Sequence, residues 1–350
     1  MIDRPPQETA DGAAVWRCVA TGSPTGPLSR VAVARFAELV TPALAGHLLG
    51  DEPVDGALGS GTVARSRLVN RFIAATQRKA LVTLGESGVD LVVLKGFAFA
   101  HTLYPVPETR TIGDLDILVR AFDRDRLIGF LAARGYSFRP LPTPPWGFIS
   151  TASYMPFVSA DGAVNLDIHI EPDCYPAGLA LTTERVFGAA RRVEAGGGLA
   201  FAAPCDSHAL LLCATNAAKD KFGAFAARKI IDALLLLRQA TPDLSAVEDL
   251  AASARFHHPL HVFLALLRTL GAVLPAHYDA AALPVRARGE FARLVADTQA
   301  LSPAVPGMMA TLRRELTVCT EPSVGLHNAL VRLTGLVRPG TGVPRGTPAS

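Results

Sequence analysis

The sequence predicts an α+β protein in which a helical lead-in precedes a sheet-bearing core and a helical bundle follows it. Three observations carry this reading. A short continuous apolar run, VDLVVLKG, ends in Lys95-Gly96, as a central strand does where it turns into a helix. Two later stretches, TRTIGDLDILVR at 109–120 and AVNLDIHIEP at 163–172, alternate an apolar with a polar face, the two-residue period of a strand. From about residue 206 onward the apolar residues recur only at helical spacing.

Taken in order, residues 1–28 and 338–350 are rich in Pro, Gly, Thr and Ser and are expected to form mobile tails. Residues 30–50 and 63–88 read as lead-in helices separated by the glycine-bearing break DGALGSG. The Lys95-Gly96 turn opens a helix, FAFAHTLY, and the acidic strand then runs to Val119. FDRDRLIGFLAARGY has an aspartate cap, helical spacing and a closing glycine at 135. A proline-rich loop, RPLPTPPWG, leads to the strand candidates SYMPFVS and AVNLDIHIEP. The core is expected to span residues 29–205 with the lead-in, and the helical domain 206–337.

With 350 residues, 49% of them hydrophobic and 19% charged, the chain can bury one large or two modest cores. A formal net charge of +3 without long basic runs does not call for nucleic acid. The five cysteines form no C-x-x-C pair and read as small core residues of a reducing compartment. The start of the chain is acidic and proline-bearing rather than basic and apolar, so cytoplasm is expected. The apolar run at 230–237 is interrupted by Asp232 and is too short for a membrane span.

The acidic strand poses the chemical question. Alternation puts Asp114 and Asp116 on one face, where two carboxylates repel unless a cation lies between them. A half-exposed strand with a wet face is the plain alternative. The second strand repeats the pattern, with Asn165, Asp167, His169 and Glu171 opposite Leu166, Ile168 and Ile170. Side by side, the two strands would add a third carboxylate to the first two.

The ordered features are Leu-Lys-Gly, a short helix reaching Tyr104, Arg110, the D-L-D-I-L-V strand, a helix ending in Arg-Gly-Tyr, and later L-D-I-H. Over residues 67–240 this string resembles the nucleotidyltransferases of the polymerase-β superfamily, specifically a bacterial branch with Lys-Gly where better known members have Gly-Ser. The resemblance implies a small mixed sheet in which Asp114, Asp116 and Asp167 coordinate two Mg2+ ions that grip a nucleoside triphosphate, ATP foremost. Magnesium favours such oxygen donors, and two ions about 3.5 to 4 Å apart suit an in-line displacement.

Lys95 and Gly96 would serve the triphosphate at a helix start. Arg110 would contact phosphate or pair with an aspartate, and Lys219 would reach nucleotide or acceptor. His169 is expected behind the metal ligands rather than among them, and Glu171 as a solvated charge. Arg228 and Asp232, four apart on a helix, suggest a structural ion pair. His257, His258 and His261 show no ligand spacing and read as surface or cap residues.

The implied activity is transfer of a nucleoside monophosphate to a hydroxyl of a small molecule, peptide or protein, with release of pyrophosphate. The alternative is a nucleotide-binding scaffold that has lost turnover, to which the missing Gly-Ser turn lends support. Neither familiar kinase motif set is present.

Overall fold

Among the residues described by the computed structural model, 6–23, 26–138, 153–173, 176–301, 306–327 and 330, seven strands form one sheet. They are β1 (Leu91–Val93), β2 (Leu115–Val119), β3 (Ser137–Phe138), β4 (Ser153–Val158), β5 (Asn165–His169), β6 (Arg191–Glu194) and β7 (Ala200–Ala203), in the order β3-β4-β5-β2-β1-β7-β6. The sheet is mixed. β2 runs parallel to β5 and β1 parallel to β7, while the remaining neighbours are antiparallel.

The lead-in comprises α1 (Pro6–Thr21), α2 (Arg30–Val40), α3 (Pro42–Leu49), α4 (Asp51–Leu58) and α5 (Thr62–Gly85). The segment expected as a single helical stretch at 30–50 is divided at Thr41, whose φ of 105° breaks the helix. Pro42 then starts α3, where its missing N–H costs nothing. Much of the expected break is itself helical, as α4.

Residues 1–28 require a correction. Residues 6–21 are helix α1 rather than a tail, and its Val15, Trp16 and Val19 are buried. Trp16 donates its indole N–H to the Thr298 carbonyl at 2.8 Å and meets Phe36 edge-on. The average composition concealed three apolar residues at helical spacing, which is enough to dock a helix. The Pro-rich loop at 139–147 and the tail at 338–350 lie outside the described residues.

Within the core, α6 (Lys95–Thr102) follows β1, α7 (Arg124–Ala132) follows β2, and α8 (Thr183–Gly188) precedes β6. The helical half consists of α9 (Asp206–Lys219), α10 (Ala227–Gln239), α11 (Leu244–Ser253), α12 (His257–Thr269), α13 (Val285–Gln299) and α14 (Met308–Arg314). All of them lie in the region from about residue 206 onward where helical spacing alone is expected.

Two apolar clusters organise the packing. Val93, Leu115, Ile117, Val119, Leu166 and Ile168 cover one face of the sheet and pack with residues of α5, α6 and α7. The other cluster joins the early helices α1–α4 to α9, α10, α12 and α13, and takes in Val92 and Leu118 from the opposite face of the sheet. Asp116 shares that second face with Leu118. The polar side of the strands is therefore directed toward the helical half, not toward bulk water.

The hairpin β6–β7 has no clear signal in the sequence. Its turn places Gly196, Gly197 and Gly198 at φ of 75°, 57° and 76°, a left-handed run that side chains with a Cβ resist. Arg78 of α5 donates to the Ala195 and Gly196 carbonyls and holds the turn.

Candidate active site

β2 is buried along its whole length, so the wet-face alternative does not apply. Parallel pairing sets Asp116 opposite Asp167 and Leu118 opposite His169. Two adjacent strands thus deliver two carboxylates and an imidazole to one place. Ligand atoms of Asp116, Asp167 and His169 all lie within 4.8 Å of one another.

His169 is at the centre of this group rather than behind it. Its Nε2 stands 3.1 Å from Asp116 Oδ1 and 3.0 Å from Asp167 Oδ2. Burial alone would lower the imidazole pKa, but Asp167 and the hydrogen bonds to both carboxylates outweigh it and hold the pKa above its ordinary value. His169 thus bridges the two carboxylates.

Lys95 supplies the other positive charge. Its ammonium donates to Asp116 Oδ1 at 2.7 Å and lies 3.3 Å from His169 Nε2. Burial raises the Asp116 pKa, yet Lys95 and His169 reverse this and leave it depressed. The Lys95 backbone sits at φ 48°, uncommon for a residue with a side chain and a pointer to a constrained functional turn. The left-handed position of the Lys-Gly turn is therefore the lysine, not the glycine. A Cβ at Gly96 would meet only Ile112 Cγ2, at 3.5 Å, so packing does not require glycine there.

Asp114 departs from the expected strand pair. It lies in a bend just before β2 and is half-buried. Burial and the neighbouring Asp116 raise its pKa, with Lys95 partly opposing them. Its charge thus bears on the cluster, but Asp114 is outside the three residues whose ligand atoms converge.

Arg110 pairs with an aspartate, the second of its two expected roles. Its Nε and Nη2 donate to the two carboxylate oxygens of Asp232 at 2.9 and 2.7 Å. Tyr104 donates to the same aspartate at 2.7 Å. The expected Arg228–Asp232 pair is thereby replaced by Arg110–Asp232. Arg228 on α10 is half-buried; burial and then Arg110 lower its pKa, while Asp232 and Asp114 act in the opposite sense.

Lys219, at the end of α9, lies 3.6 Å from Asp173 Oδ1 and near enough to Lys95 to oppose its protonation. Asp173 was not singled out in the sequence. It is buried beyond the end of β5, and Thr215 and Asn216 of α9 donate to its Oδ2. The only sequence signal was its place two residues after Glu171, which is itself exposed as expected.

The donor set suits a hard divalent cation. Two buried carboxylates in register provide oxygen ligands of the kind magnesium prefers, and the bound lysine shows that the cluster already accommodates positive charge. No described helix is long and apolar enough to cross a membrane.

Comparison with known families gives one match. The family model described as "Uncharacterised nucleotidyltransferase" covers residues 54–271. No curated protein and no solved structure matches the chain.

Proposed function

Because the chain belongs to this uncharacterised nucleotidyltransferase family, we propose that it transfers a nucleoside monophosphate from a nucleoside triphosphate, ATP foremost, to an acceptor hydroxyl. The observation that carries this reading is the register of Asp116 against Asp167, with Lys95 at the end of the adjoining strand. The acceptor oxygen bonds to the α-phosphorus, the bond from that phosphorus to the bridging oxygen breaks, and pyrophosphate leaves.

Asp116 and Asp167, with Asp114 alongside, are the residues that would hold two magnesium ions. When bound, these neutralise triphosphate charge and acidify the acceptor hydroxyl. Asp167 is the base we assign to the hydroxyl proton, steadied at Oδ2 by His169. Lys95 and Lys219 bring ammonium charge to the phosphates. Arg228, which feels the charge of Asp114, joins them in place of Arg110. The acceptors we favour are small molecules and peptide or protein side chains in the cytoplasm, since a net charge of +3 gives no strong field for nucleic acid.

The test is direct. The protein is incubated with magnesium, each of the four common triphosphates and cell extract, and both pyrophosphate release and incorporation of labelled nucleotide are followed. Release that disappears in Asp116→Asn and Asp167→Asn supports the reading. Magnesium-dependent nucleotide binding without any pyrophosphate would replace it with the scaffold reading.

A further inference from the structure

Three side chains in the helical half, all separate from the strand carboxylates, converge on one spot, and a fourth, His277, approaches one of them. His257 and His261 are one turn apart on α12, with ring centroids 4.2 Å apart. Glu248 reaches them from α11. Its Oε1 is 3.4 Å from His261 Nε2 and 3.4 Å from His277 Nε2, the latter on the 3-10 turn Ala276–Tyr278. Ligand atoms of Glu248, His257 and His261 all lie within 4.8 Å of one another.

We propose that Glu248, His257, His261 and His277 form a second metal site, for Zn2+ or a cation of similar chemistry, which staples α11, α12 and the 276–278 turn together. Imidazole and carboxylate are the nitrogen and oxygen donors of zinc sites, and three imidazoles disfavour magnesium. With bonds of about 2.0 Å in a tetrahedron, donor atoms stand roughly 3.3 Å apart. The two 3.4 Å separations to Glu248 already match that spacing. His257 is exposed, so its ring has room to turn and complete the set.

The buried His261 Nε2 makes no hydrogen bond despite facing Glu248. Tyr278, by contrast, donates to Glu248 Oε1 at 2.6 Å, the orienting contact that ligating carboxylates commonly receive.

The experiment uses the full chain, stripped with a chelator and titrated with Zn2+ and, for its visible spectrum, Co2+. The expected result is one equivalent with tetrahedral cobalt absorption that persists in Asp116→Asn and weakens at least tenfold in His257→Ala and Glu248→Gln. His257→Ala is decisive, because an exposed side chain can be removed without endangering the fold, and circular dichroism would verify this. Absence of binding in the wild type overturns the proposal. So does affinity unchanged in both His257→Ala and Glu248→Gln, or binding abolished by Asp116→Asn alone.

Discussion

Arg110 and Asp232, 122 residues apart in the chain, form a two-point ion pair that ties the loop before β2 to α10. Both side chains are nearly inaccessible, at 7% and 1%, and Tyr104 completes the shell around the carboxylate.

Removal of one partner leaves a buried charge uncompensated. Asp232→Ala is therefore expected to lower the unfolding free energy by about 3–5 kcal/mol. The paired replacement Arg110→Met with Asp232→Leu should recover most of this, because no charge remains to be desolvated. Urea denaturation of the three proteins measures both effects. A single-variant loss below about 1 kcal/mol, typical of an exposed pair, would contradict the assignment.

Helix α1 gives a second prediction. A Cβ on Gly12 would fall 1.6 Å from the Gln299 carbonyl oxygen, so Gly12→Ala must push α1 away from the end of α13. A cost of about 1–3 kcal/mol is expected, as for overpacking elsewhere, and about 3–5 kcal/mol for Trp16→Ala. Thermal unfolding distinguishes this from a dispensable tail, whose deletion would leave the midpoint unchanged.

At the strand cluster, Asp116→Asn removes the negative charge shared by Lys95 and His169 while preserving side-chain volume. Under the proposed function, Mg-ATP at a hundred times its dissociation constant stabilises the wild type by about 2.7 kcal/mol. That shift should vanish in Asp116→Asn and persist in Glu171→Gln. Calorimetry with and without Mg-ATP reads both, and an equal shift in Asp116→Asn would remove Asp116 from the nucleotide site.

Acid sensitivity should arise in part from α13. Glu290 is buried and accepts hydrogen bonds from Arg293, Arg313 and Arg314 at 3.0, 2.6 and 3.1 Å. Burial would raise its pKa, but the three guanidiniums outweigh burial and depress it. The folded state then binds this proton more weakly than the unfolded state does. Its stabilisation is complete above the unfolded value of about 4.3 and is lost as pH falls from there through the folded pKa. Urea titrations at successive pH values should show wild type losing more stability in this window than Glu290→Gln. Parallel losses would show that Glu290 is not responsible.

Several elements were legible because their signals are local. Alternation in NLDIH placed Asp167 and His169 on one face, and the apolar run before Lys95 marked β1. The hairpin β6–β7 was missed because AFAA is alanine-rich and short, and alanine has little strand preference. The histidine cluster was missed for a different reason. His257 and His261 are at helical spacing, but Glu248 and His277 reach them only through the packing of α11 and the 276–278 turn.

The sequence by itself determined which residues share a face within each strand and helix, because side-chain direction follows from the backbone period of a single element. The tertiary structure alone decided which faces meet and which charges pair. It set Asp116 against Asp167 across a parallel ladder, gave Lys95 to Asp116, and gave Arg110 to Asp232 in place of Arg228. These pairings join residues as far apart as 122 positions. Such choices depend on strand register and on burial of the whole core, and no local period encodes either.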